Sequence, residues 1–252
     1  GEPYIIHPLA TTRTLTDIRA DEDTLIAGLL HDVPDGQVKT VEDIRAAFGD
    51  EVAGMVEGIM NIARVRYRHD MEAQQIESLR KMVVVMARDV RVILIRLAER
   101  LHNMETLTYK TPEKRVRIAK ETLEVYAPLA DRLGMSQLKT KLEDLAFQHL
   151  HPLDFERLRS RVAETHETRE AYIEEVRLRL GEELASIGMT DFAISGRTKN
   201  LFSIYKKMEL QRKAFEEIYD VFALRVVVPT VKDCYAVLGV IHDLWKPKPG
   251  EF

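Results

Sequence analysis

Residues 92–104 read Val-Ile-Leu-Ile-Arg-Leu-Ala-Glu-Arg-Leu-His-Asn-Met, and they decide between two fold classes. The β-branched opening would suit a buried strand. The apolar positions, however, continue a series through Leu79, Met82, Val83, Met86, Val90, Ile93, Leu94, Leu97, Leu101 and Met104. Steps of three and four persist far beyond the roughly six residues of a typical strand, so the spacing predicts one helix over 77–107. On that helix Glu99, His102, Asn103 and Thr106 stand at i, i+3, i+4 and i+7 and share a face. The face is either a solvated stripe or a cluster of ligand-holding groups.

Helical texture extends outward from this stretch over roughly the first 185 residues. Leu25, Ile26, Leu29 and Leu30 carry helical spacing, and Thr40 is placed to cap a helix opening at Val41. Pro112 sits where a first helical turn accepts it, starting a segment to about Arg132. A long amphipathic stretch from Pro152 runs to a stop at Gly188. The pattern then changes. Residues 191–195 and 221–228 are short, apolar and bounded by Gly or Pro, which predicts strands, with helices over 201–212 and 231–244. The expected division is therefore a helical domain over 1–130, connecting helices over 131–187, and the start of an α/β (α+β) domain over 188–252.

Composition narrows the function classes. The 37 basic and 41 acidic residues give a net charge of −4, which excludes a global pull toward nucleic acid or anionic lipid. The single cysteine, Cys234, rules out disulfide partners within the chain and a thiolate-rich zinc site, and it suits a reducing cytoplasm. No apolar run approaches the roughly 18 residues of a membrane span. A start at Gly1-Glu2-Pro3 and a stop at Pro249-Gly250-Glu251-Phe252 are expected of a piece of a longer protein.

Two clusters carry chemistry. His31-Asp32 ends the apolar helix Leu25–Leu30, where an imidazole and a carboxylate are costly to bury unless they bind something. Such a set suits manganese, iron or zinc. His7, between Ile6 and Pro8, reads alone as a structural histidine, and His69-Asp70 reads as a chance pair in a charged stretch. In the second domain Gly196-Arg197-Thr198-Lys199-Asn200 follows a predicted strand and opens a helix, a plausible phosphate grip or a plain basic turn. Asp220 stands at the edge of the next strand, as a metal ligand or a solvated cap. The chain has neither a P-loop nor a Gly-x-Gly-x-x-Gly fingerprint.

The stretches Tyr4-Ile5-Ile6-His7-Pro8, Leu29-Leu30-His31-Asp32-Val33, Val92–Met104 and Tyr126–Gly134 resemble the hydrolase domain of the RelA/SpoT family. Gly196-Arg197-x-Lys199, Tyr205-Lys206-Lys207-Met208, Ile218-Tyr219-Asp220-Val221, Asp233-Cys234-Tyr235 and Trp245-x-Pro247-x-Pro249-Gly250 resemble its synthetase domain. The resemblance implies an HD-type fold that uses Mn²⁺ to remove pyrophosphate from the 3′ position of guanosine tetra- or pentaphosphate (ppGpp, pppGpp). It further implies a nucleotidyltransferase-like domain that passes pyrophosphate from ATP to the 3′-hydroxyl of GDP or GTP with Mg²⁺. By position His7, His31, Asp32 and Glu99 would hold the first metal, Asn103 and Thr106 would contact guanosine, and Asp35 would act on water. Arg197, Lys199 and Lys207 would hold phosphates, and Asp220 would bind Mg²⁺. Members of the family can also engage ribosomes through C-terminal domains.

Departures from the family pattern bear on activity. Competent hydrolases follow the His-Asp pair with Val-x-Glu-Asp, whereas this chain has Val33-Pro34-Asp35-Gly36. The fourth metal ligand, ordinarily Asp, is Glu99, and Glu105 replaces a usual Arg. Glu251-Phe252 matches synthetase-only members more than bifunctional ones. These features favour a synthetase-type enzyme with a degenerate HD domain. Two other readings stay open: a bifunctional enzyme with active Mn²⁺-dependent hydrolysis, and a regulatory nucleotide-binding module without turnover.

Overall fold

The computed structural model describes residues 3–34, 36, 39–63 and 89–246 of the chain. The chain forms two compact units, residues 1–150 and 151–252, so residues 131–150 belong to the first and 151–187 to the second.

In the first unit helix α1 (Ile6–Asp17) is followed by α2 (Glu22–Leu30), whose first turn is capped by Asp21 Oδ1 accepting from Thr24 N–H at 2.8 Å. Helix α3 (Val41–Ala63) opens as expected behind Thr40, in a reciprocal capping box with Asp43. It kinks at Gly49, whose φ of +90° a residue with a Cβ rarely adopts. The single helix expected over 77–107 begins instead at Arg91 among the described residues, as α4 (Arg91–Glu105), and residues 64–88 lie outside the description. The cause is Asp89, whose carboxylate accepts from the Arg91 backbone N–H at 2.9 Å and from Arg91 Nε at 3.0 Å. A short polar side chain offers the backbone an alternative to the helical ladder there.

Helix α5 (Pro112–Glu121) passes through a π-helical turn over Thr122–Tyr126 into α6 (Ala127–Arg132). Pro128 explains the wider turn, because it has no N–H to donate and its ring crowds the carbonyl one turn back. Helix α7 (Ser136–Leu150) completes the unit. The core gathers Leu15, Val52, Met55, Ile93, Leu97, Leu101, Met104, Tyr126 and Leu142. Each fully buried Leu or Ile contributes roughly 1.5–3 kcal/mol, so these stripes, more than propensity, hold the helices together.

In the second unit the long helix α8 (Pro152–Ser186) ends with Met189 N–H donating to Leu184 O and Gly188 N–H to Ala185 O, which satisfies its last carbonyls. Strand β1 (Ala193–Thr198), helix α9 (Leu201–Gln211), strand β2 (Phe222–Val227) and helix α10 (Val231–Leu244) follow. The strands pair antiparallel, with Ala193 opposite Val227 and Thr198 opposite Phe222. β1 is displaced from the expected 191–195, and the Gly196-Arg197-Thr198 run lies inside it, because those residues find ladder partners in Leu224, Ala223 and Phe222. Ile194 and Val226 pack with Phe192, Ile241 and Trp245 around Leu180, Leu184 and Val237. Among the described residues no helix is long and apolar enough to cross a membrane.

α1 and α2 approach closely at Gly28, where an added Cβ would stand 2.6 Å from Leu15 Cδ1 and 3.3 Å from Thr12 Oγ1. Leu15 is fully buried and has nowhere to retreat. Gly28→Ala is expected to destabilise the chain by about 1–3 kcal/mol of overpacking strain, read as a lower midpoint in urea unfolding.

Candidate metal centre and phosphate cluster

The first cluster forms where three helices of unit 1 converge. α1 brings His7, the end of α2 brings His31 and Asp32, and α4 brings Glu99, His102 and Asn103. His7, His31 and Glu99 each present a ligand atom, all within 4.8 Å of one another. Asp32 joins them, with its oxygens 3.4 Å from His31 Nε2 and 3.6 Å from His7 Nε2. Tyr4 donates its hydroxyl to the same carboxylate. The α4 face left open between stripe and cluster is therefore half-buried and turned to the two histidines.

The donor set could hold a cation. His31 is buried, and its Nδ1 lies 2.7 Å from the Gly28 carbonyl, an acceptor only. Nδ1 must then carry the proton, which leaves a lone pair on Nε2 facing the cluster. Burial, then the neighbouring His31, holds the pKa of His7 below its ordinary value and favours the neutral ring that metals bind. Glu99 is only 14% exposed, and burial pushes its carboxyl up. The Arg96 guanidinium, then His31, Arg100 and His7, outweigh burial and bring it below the usual carboxylate range. Arg96 Nη1 donates to Glu99 Oε2 at 2.5 Å, and Asn103 Nδ2 donates to Oε1 at 3.3 Å. Arg100 stacks 3.8 Å above the Tyr126 ring and pairs with Glu121 at 3.1 Å, so the π-helical turn supports this charge layer.

Of the residues anticipated here, His7, His31, Asp32, Glu99 and Asn103 come together, and Thr106 donates to the His102 carbonyl one turn on. Asp35 lies outside the described residues, and the adjacent Gly36 offers no carboxylate. Sequence reasoning gave no role of their own to Arg96, His102 and Tyr4. Arg96 and His102 had one signal, their place at i−3 and i+3 from Glu99. Tyr4 stood only within the stretch resembling the family, and its partner is 28 positions away.

In the second unit Asp220 is the hub. It occupies the turn before β2, and its carboxylate accepts from Lys199 Nζ at 2.6 Å and from Lys207 Nζ at 2.9 and 3.0 Å. Burial raises the Asp220 pKa, but hydrogen bonds from the two lysines outweigh it and leave the carboxyl below its ordinary value. Arg197 lies in β1 opposite Ala223, rather than at a helix start.

Glu99→Gln would leave the Arg96 charge half-buried without its counterion. The expected cost is about 3–5 kcal/mol, measured by chemical unfolding, against less than about 1 kcal/mol for Glu105→Gln on the exposed side of the same helix.

Residues 1–136 match the HD domain family, and residues 196–252 match the region found in RelA / SpoT proteins. The chain is 42% identical, over all of its length and 33% of the relative's, to a GTP pyrophosphokinase of Myxococcus xanthus. It is 45% identical to a probable guanosine-3′,5′-bis(diphosphate) 3′-pyrophosphohydrolase of Synechocystis, again over all of this chain and 33% of the relative. It is 44% identical, over 99% of this chain and 35% of the relative, to the bifunctional (p)ppGpp synthase/hydrolase SpoT of Escherichia coli. The chain thus spans about a third of the length of these relatives. With an HD domain followed in the same chain by the RelA/SpoT region, the protein belongs to the RelA/SpoT family.

Proposed function

We propose that this chain is the catalytic front of a cytoplasmic enzyme of guanosine tetra- and pentaphosphate metabolism, with a Mn²⁺-binding HD unit whose 3′-pyrophosphohydrolase activity is attenuated. The observation that carries the reading is the meeting of His7, His31 and Glu99 within 4.8 Å, with Asp32 beside the two imidazoles. Two imidazoles and two carboxylates suit Mn²⁺ better than a soft thiolate-seeking metal. When bound, such an ion polarises a phosphoryl oxygen and makes water a stronger nucleophile at neutral pH. The chain's own part is to hold the ion through His7, His31, Asp32 and Glu99 and to seat guanosine against Asn103 and Thr106. Attenuation follows from Asp35-Gly36: the carboxylate that would take the proton of water is shorter, and its neighbour is gone.

Wild type with guanosine tetraphosphate and Mn²⁺ is expected to release GDP and pyrophosphate slowly. An Asp35→Glu/Gly36→Asp variant should raise kcat by about 10²-fold, the lower range of general acid–base contributions. A wild type as fast as the variant would remove the attenuation. A variant that binds Mn²⁺ and yields no pyrophosphate would remove hydrolysis altogether.

A second activity is supported by Asp220 holding both Lys199 and Lys207. This cluster, with Arg197, suits pyrophosphate transfer from ATP to the 3′-hydroxyl of GDP or GTP, a reaction run mainly by positioning and charge neutralisation. Asp220 would hold Mg²⁺ when the ion is bound, and Lys199 and Lys207, which now donate to it, would hold phosphate oxygens. In the full-length protein Lys207→Ala is expected to weaken ATP binding about tenfold in calorimetry, with Asp220→Asn abolishing its Mg²⁺ dependence. ATP affinity unmoved by either change would count against this assignment.

A further inference from the structure

We propose that His102 is a positioning residue that fixes the tautomer of His7 and so keeps its Nε2 open for the metal; the inference rests on the metal-centre reading above. His7 has two nitrogens with different surroundings. Nε2 lies on the cluster side, 3.3 Å from His31 Nε2 and 3.6 Å from Asp32 Oδ2. Nδ1 lies on the opposite side, 2.8 Å from His102 Nδ1, with ring centroids 4.9 Å apart and planes tilted by 58°. A neutral imidazole carries one proton, and the nitrogen that binds a cation must be the bare one. If Nε2 of His7 binds, Nδ1 is the donor and His102 Nδ1 must accept. His102 is then the tautomer with its proton on Nε2.

The arrangement at His31 shows what this contact has to do. There the outer partner is the Gly28 carbonyl at 2.7 Å, which can only accept and so permits one tautomer. His7 has an imidazole in that place, which can accept or donate, so the His7–His102 pair has to agree on a direction. Were His102 Nδ1 the donor, Nδ1 of His7 would accept and the proton would sit on Nε2, where it blocks the metal. The His102 carbonyl accepts from the Thr106 hydroxyl at 2.9 Å and from the Thr106 N–H at 3.1 Å, which holds the backbone of α4 at this turn. It also stands one turn beyond Glu99 on α4. One helix therefore supplies one ligand and the orienting group of another, which ties α1 to α4 through the site. A bland reading, in which His102 only fills space between helices, would require no acceptor at this position.

Outer partners of metal-bound histidines are worth about 10–100-fold in metal affinity. The test is Mn²⁺ binding to the whole 252-residue chain, followed by electron paramagnetic resonance. His102→Leu keeps volume without an acceptor and is expected to lose about 10–100-fold, whereas His102→Asn, whose amide oxygen can accept near the Nδ1 position, should stay within about threefold. Histidine ¹⁵N–¹H correlation spectra of the Zn²⁺-loaded wild type should show His7 protonated on Nδ1 and His102 on Nε2. Should His102→Leu not fold, that spectrum decides alone. His7 protonated on Nε2 in the loaded protein, or equal Mn²⁺ affinity in all three proteins, overturns the role of His102. A wild type that binds no Mn²⁺ overturns the metal centre itself.

Discussion

The structure of the first unit depends on one costly choice, a carboxylate placed inside it at Glu99. Taking an ion out of water costs several kcal/mol even after relaxation, and only close counter-charge and hydrogen bonds offset that. Arg96 supplies the charge from one turn earlier, and Asn103 supplies a donor from one turn later. Arg96 is itself partly buried, so Arg100 and the Tyr126 ring form the layer behind it, with Glu121 closing the charge count. A structural salt bridge would not need this much support, because apolar residues of similar size would serve stability as well. What the arrangement does provide is a carboxylate held ionised next to two histidines.

That requirement propagates into backbone packing. His31 must keep its Nδ1 on the Gly28 carbonyl, so α2 must end where it does and lie close to α1. Only a residue without a Cβ allows that approach at Gly28 against Leu15 and Thr12. α1 in turn carries His7 to the cluster, and Tyr4 steadies Asp32 from the same segment. Local backbone chemistry and site geometry are thus the same constraint seen at two scales.

Much of the fold was legible because its signals are local. The Thr40 cap, Pro112 at a first turn and the stop near Gly188 are short-range chemistry, and each marks a real helix end. The start of α4 at Arg91 was not legible, because apolar spacing runs through that point and the decisive event is one Asp89 side chain taking one N–H. The extent of β1 was missed for the opposite reason. Gly196-Arg197-Thr198 has turn composition, and only its pairing with β2 makes it strand. In the site, Glu99, His102 and Asn103 could be grouped by helical period. The distances that give Arg96, His102 and Tyr4 a part depend on how α1 lies on α4, which no periodicity contains.

The two clusters, each within its own unit, are electrostatic opposites, and that difference bears on which ligands each could hold. In the first, Asp32 and Glu99 face Arg96, with Arg100 behind it paired to Glu121, while the imidazoles contribute lone pairs. The excess is negative and the free atoms are acceptors, which is what a divalent cation needs. In the second, one carboxylate faces two ammonium groups, so the excess is positive and the groups are donors. Donors with surplus positive charge suit phosphate oxygens. Asp220 offsets the repulsion between Lys199 and Lys207, and under the proposed transfer activity it would be the residue to hold Mg²⁺. The sign of the imbalance, rather than the number of charged residues, is what favours a metal at one cluster and phosphate at the other in the function proposed.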